Sequence, residues 1–154
     1  MNPSTVCPPA IFPIPSTVTV VDKNRDGYHD RAYVGDTGGQ VWRLDIGDID
    51  AANWSVTKLA SIADHSVDSE ERKFLYPPDV VYAADGTYDA ILIGSGDREH
   101  PMDTTVLNRF YMFKDTLPAV DWTPITEDDL YNATENLIQD GDATATKHRS
   151  VGSV

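Results

Sequence analysis

The sequence predicts an all-β chain made of propeller-like blades, a partial propeller with a short helical insert near its C-terminus. Short runs of β-branched and aromatic residues alternate with polar ones, as at Thr17-Val18-Thr19-Val20 and Gln40–Ile46. Gly and Asp turns separate the runs, and one unit recurs: Asp30–Gly35 with Val41–Asp45 parallels Asp89–Gly94 with Phe110–Asp115. Asp30 and Asp89 stand 59 residues apart, longer than a compact blade of roughly 40–50 residues, because a long insert separates the strands of the second copy. A ring takes about four to eight blades. This chain has enough for two or three.

In chain order, residues 1–15 form a proline-rich lead, broken by Pro3, Pro8, Pro9, Pro13 and Pro15, that reads as an extended arm or edge segment. Blades are expected over 16–120. A first strand falls near Ser16–Val21 and a second near Arg31–Gly35, and Thr37-Gly38-Gly39 turns into a third at Gln40–Ile46. In that third strand Trp42, Leu44 and Ile46 share one face, and Val41, Arg43 and Asp45 the other. An outer strand is expected over Trp54–Ile62, a polar surface loop over Asp64–Lys73, and a strand entered after Pro77-Pro78. Asp85-Gly86 turns into Ala90–Ile93, and Arg109–Lys114 completes the set. Trp42, Trp54, Trp122, Phe110 and Tyr111 are assigned to the core. Residues 121–154 are read as a helical insert and polar tail: Thr126 caps, Leu130, Ala133, Leu137 and Ile138 make the stripe, and Gly141 ends the helix.

Between the first two strands lies Asp22-Lys-Asn-Arg-Asp-Gly-Tyr-His-Asp30. Ca²⁺ takes about six to eight hard oxygens, and a short loop supplies them from alternate positions around a sharp glycine turn. Asp22, Asn24, Asp26 and Asp30 occupy positions one, three, five and nine, and Gly27 is at the turn. Tyr28 would add its backbone carbonyl. Position twelve is Tyr33 rather than a bidentate Glu, and both flanks read as strands, so the loop is not an EF-hand. Three carboxylates on one turn repel, and Lys23, Arg25 and Arg31 soften that repulsion. A metal-free Asx turn has the same composition.

The balance of 12 basic against 25 acidic residues, a net charge of −13, argues against nucleic acid as a partner. No apolar run approaches the roughly 18–20 residues of a membrane-spanning helix. Met1 to Pro15 lacks the charged start of a signal peptide. Cys7 is the lone cysteine, so no internal disulfide forms. His29 and His65 are expected on the surface, since calcium prefers oxygen.

Several motifs in order carry a family resemblance. They are the run Asp22-x-Asn-x-Asp-Gly-x-x-Asp30-Arg-x-Tyr-Val-Gly-Asp36 with Gly39-Gln-Val-Trp42-Arg43-Leu-Asp45, then Phe74-x-Tyr-Pro-Pro-Asp-Val80, Ile93–Pro101, Asn108–Met112 and Ile125–Leu130. Together they resemble the C-terminal β-propeller of the PilC/PilY proteins of type IV pili, over roughly residues 18–140. The resemblance implies a modified propeller at the pilus or outer membrane of a Gram-negative bacterium. Its calcium site would help control pilus extension, retraction, twitching motility and adhesion, with pilins or minor pilins, and a host surface, as partners. It places the calcium ligands on Asp22, Asn24, Asp26, Tyr28 (backbone) and Asp30.

Two other readings stay open. Gly35-Asp36-x-x-Gly39-Gln-Val-Trp42 also looks like a blade of quinoprotein dehydrogenases, but no second polar cluster serves a cofactor, so a non-catalytic role is expected. Asp97-Arg98-Glu99-His100 combines acid, base and guanidinium without a nucleophile, and reads as a surface loop knitted by ion pairs. A calcium-braced structural repeat, as in integrin-like propellers, fits the loop equally well.

Overall fold

Turns at Gly39 (φ 68°) and Gly86 (φ 71°), both in the left-handed region that a Cβ disfavours, set two of the hairpins of the fold. The computed structural model describes residues 12–116 and 122–134. β1 (Thr19–Val21), β2 (Arg31–Gly35), β3 (Gln40–Asp45) and β4 (Ser55–Ser61) form one antiparallel sheet in that order. β5 (Asp79–Tyr82), β6 (Asp89–Gly94) and β7 (Phe110–Asp115) form a second. Helix is confined to three short 3₁₀ turns among the described residues.

The sheets pack face to face around Tyr33, Val41, Leu59, Phe74, Ile91, Ile93, Tyr111 and Phe113. On the third strand the inter-sheet face is the one bearing Val41, Arg43 and Asp45, not the more apolar side. Arg43 is only 4% exposed, because Asp45 and Asp115 neutralise it in place. Trp42 on the opposite face is also buried, under the Lys58 ammonium, 5.1 Å from its ring. The strand is therefore covered on both sides at its N-terminal half. A register shift between Val41 and Trp42 lets Leu59 and Ala60 of β4 both turn inward.

The recurrence seen in the sequence is also one of register. Gly35 opposes Val41 as Gly94 opposes Phe110, and Arg31 opposes Asp45 as Ala90 opposes Lys114. The face of the first sheet that meets the second thus corresponds to the outer face of the second. The two glycines differ in surroundings: a Cβ at Gly35 would lie 2.6 Å from Phe74 Cβ and 2.9 Å from Ile93 Cδ1, whereas at Gly94 it would meet only Phe110, at 3.9 Å.

Other expectations are corrected. Phe110 is 72% exposed and Trp54 45%, so neither belongs to the core; alternation turns Phe110 outward while Tyr111 turns in. Trp54 instead donates its indole N–H to the Asp48 carbonyl at 2.8 Å. Val18 and Val20 face solvent, and Thr19 and Val21 face inward. The loop over 64–73 is exposed except at its end, where Arg72 is buried beside Phe74. The expected helix at Thr126 stops at once: the capping box forms with Asp129, but it closes one 3₁₀ turn, Glu127–Asp129, and Leu130 is extended. Ile125 instead bridges to Ala60 alongside β4. The rest of the stripe, Leu137 and Ile138, with Gly141 and the polar tail, lies outside the described residues, as does most of the proline-rich lead.

Candidate functional site

The loop between β1 and β2 is curled by its own carboxylates. Asp22 Oδ1 accepts from Arg25 N at 2.6 Å and Asp26 N at 3.2 Å, while its Oδ2 accepts from Gly27 N at 2.9 Å. Arg25 (φ 62°) and Gly27 (φ 94°) both adopt left-handed backbone, which is how so short a segment folds around one side chain. Asn24 Oδ1 accepts from Asp26 N, and Asp26 Oδ1 from Tyr28 N. Asp30 closes the loop by accepting from Lys23 N at 2.7 Å and Asn24 N at 3.1 Å through one oxygen. The Asn24 amide donates to both Asp26 and Asp30, which links three of the named side chains.

Asp22, Asn24, Asp26 and Asp30 offer oxygens, as a hard divalent cation requires, and each carboxylate keeps acceptor capacity beyond the N–H groups it already binds. Tyr28, expected to contribute through its backbone carbonyl, is 77% exposed. His29 is exposed, as expected.

Among the described residues, the acid and imidazole side chains with ligand atoms all within 4.8 Å of one another are Asp97, Glu99 and His100. Asp22, Asp26 and Asp30 do not come that close to one another as a set; their oxygens are engaged by N–H groups of the loop, and the Asn24 amide is shared by Asp26 and Asp30. The Asp97 cluster has a different occupation. Asp97 accepts from Lys73 Nζ at 2.7 Å and from the backbone N–H groups of Glu99 and His100, and the hydrogen bond from Lys73 holds its carboxyl well below the usual range. Arg98 lies over the Tyr76 ring. This is the ion-paired surface loop that the sequence leads one to expect.

Sequence reasoning missed what stands behind the metal loop. Lys23, at the second position of the loop, sends its ammonium to Asp89 at the start of β6, at 3.1 and 3.0 Å from the two oxygens. Asp89 also takes Arg31 Nη1 at 2.9 Å, and Arg31 Nε pairs with Asp45 Oδ1. Asp45 then binds Arg43, and Arg43 binds Asp115 at 2.9 Å. Tyr33 donates its hydroxyl to Asp115 at 2.8 Å, and burial, followed by the Asp115 charge, pushes that phenol up and keeps it a donor. Tyr82 sits near both groups: burial first, then the charges of Asp89, Asp22 and Asp30, push its phenol up. The one available signal was that Asp89 is the repeat counterpart of Asp30.

With this geometry in place, comparison with known proteins gives one informative likeness. The crystal structure of the Pseudomonas aeruginosa PilY1 C-terminal domain superimposes with a TM-score of 0.55 at 22% sequence identity. The likeness is one of fold. It covers 65% of this chain and 25% of that one, so the chain spans about a quarter of the PilY1 domain. No protein-family model matches the chain, and no curated protein matches it. The present chain is β-rich, as two antiparallel sheets without a closed barrel among the described residues.

Proposed function

We propose that this chain is a non-catalytic, calcium-binding β-sheet segment of a type IV pilus assembly or adhesion factor. In this reading it works at the pilus or outer membrane of a Gram-negative bacterium. The observation that carries the proposal is the loop of Asp22, Asn24, Asp26 and Asp30, curled between two strands of a fold like that of the PilY1 C-terminal domain. Calcium bound there, by those side chains and the Tyr28 carbonyl, would draw the three acids together, neutralise them and stiffen the β1–β2 connection. Occupancy would thereby fix how the two strands leave the loop, and so present or hide a surface for pilins, minor pilins or a host surface.

Calcium that binds only the folded state stabilises it by about 2.7 kcal/mol at free ion 100 times Kd. Titration calorimetry from chelated buffer should give one site for the wild type, with a rise in Tm on saturation. Asp26→Ala should remove the heat of binding and the rise together. A wild type that neither binds nor gains stability would end the calcium reading. In cells, full twitching motility with Asp26→Ala would separate a merely structural brace from a regulatory ion.

A further inference from the structure

We propose that Asp89, in the second sheet, sets the calcium affinity of the loop in the first by holding the Lys23 ammonium away from it. The inference rests on the loop being a calcium site and concerns the residues that tune it. Lys23 lies between Asp22 and Asn24, and its backbone N–H is already bonded to Asp30. A lysine at that position is within a side chain's length of three carboxylates. Left unpaired, it would act as the loop's own counter-ion and compete with a divalent cation for the same charge.

Its ammonium is instead paired across the molecule with Asp89, a carboxylate only 1% exposed. Arg31, immediately after the last acid of the loop, is withheld in the same way by Asp45 and Asp89. Arg25 is the remaining cation of the loop, and its side chain is solvent-exposed. Asp89 therefore draws charge from two cations that border the loop, leaving Asp22, Asp26 and Asp30 bonded to N–H groups of the loop itself. It touches no candidate ligand. Its role is that of a positioning residue acting through Lys23.

The arrangement has a reciprocal side. If the Lys23–Asp89 pair favours calcium binding, calcium must favour the pair by the same factor, and the ion is thereby coupled to the contact between the two sheets.

The test is calcium titration calorimetry on the full chain, with near-ultraviolet circular dichroism and Tm in chelator as controls of folding. Asp89→Asn should weaken binding roughly 3- to 10-fold, the scale expected for one freed charge near a divalent ion in partly screened surroundings. Lys23→Met should bind as tightly as wild type or more tightly. The double variant should recover most of the affinity that Asp89→Asn lost, since Asp45 still holds Arg31. Unchanged affinity in a folded Asp89→Asn, or no recovery in the double variant, overturns the proposal. If Asp89→Asn does not fold, Lys23→Met and Lys23→Glu decide: affinity that falls in Lys23→Met, or does not rise in Lys23→Glu, overturns it as well. Absence of calcium binding in the wild type is a different result, since it removes the site itself.

Discussion

Asp36 follows β2 and is fully buried without a cationic partner among the described residues. Its Oδ1 accepts from Gly38 N and Gln40 N at 2.9 and 3.0 Å, and its Oδ2 from the Trp42 indole at 2.8 Å. Three donors converge on one carboxylate, so the turn and the tryptophan are fixed together. Asp36→Asn keeps the shape but turns an NH₂ toward a donor. It should cost roughly 2–3 kcal/mol in urea unfolding, through lost charged hydrogen bonds and unsatisfied N–H groups. Asp97 gives a residue-scale prediction in pH. Its folded pKa is depressed by Lys73, so its contribution is present above the unfolded value of about 3.9 and is lost as pH falls toward and through the folded one. The stability difference between wild type and Asp97→Asn should therefore be present at about pH 5 and shrink on further acidification. The raised pKa of Lys73 places its own loss far on the alkaline side, so the acid limb belongs to Asp97. The candidate loop could be picked out at this scale because its pattern is local: alternate oxygens and a glycine within nine residues. Lys23 was not, because its partner lies 66 residues away.

At the scale of elements, the third strand carries the main lesson. Its Trp42, Leu44 and Ile46 mark an apolar face, and the opposite face, with Arg43 and Asp45, looks like a solvent side. The structure buries both faces of the strand's N-terminal half, and the Arg43 guanidinium is tolerated between the sheets because Asp45 and Asp115 meet its charge. Alternation gave the strand and its boundaries but not the buried face. Replacing Arg43 alone by Met should cost about 3–5 kcal/mol, because Asp115, with no solvent exposure, would keep only the Tyr33 hydroxyl. Adding Asp115→Asn should return part of that loss, and a double-mutant cycle by urea unfolding reads the coupling directly. The capping box at Thr126 failed in the other direction. Its local signal is real, yet a single 3₁₀ turn satisfies it, and pairing of Ile125 with the β4 edge draws the neighbouring chain into extended form. Tertiary contact outweighed the local propensity.

For the molecule as a whole, the all-β class and the seven strands of the described residues were readable, and the bounds differ from expectation by a few residues at most. What remained hidden was how the sheets meet, because that depends on pairs such as Tyr33 with Asp115 and Arg31 with Asp89, which no periodicity reveals. The segment at 122–130 adds a property of the whole chain. Ser61 N donates to the Ile125 carbonyl at 2.8 Å, Ile125 N donates to the Leu59 carbonyl at 3.0 Å, and the Trp122 indole reaches the same Leu59 oxygen. All of the second sheet lies in the chain between those two points. The segment thus fastens the last strand of the first sheet to chain that follows the second, closing a loop with β5, β6 and β7 inside it. Tension applied between the two ends of the protein would pass from Ile125 straight into β4 and leave the second sheet slack until that fastening opened. Stretching would therefore proceed in two steps, the clasp yielding first and the extra length of the enclosed sheet being released only afterwards.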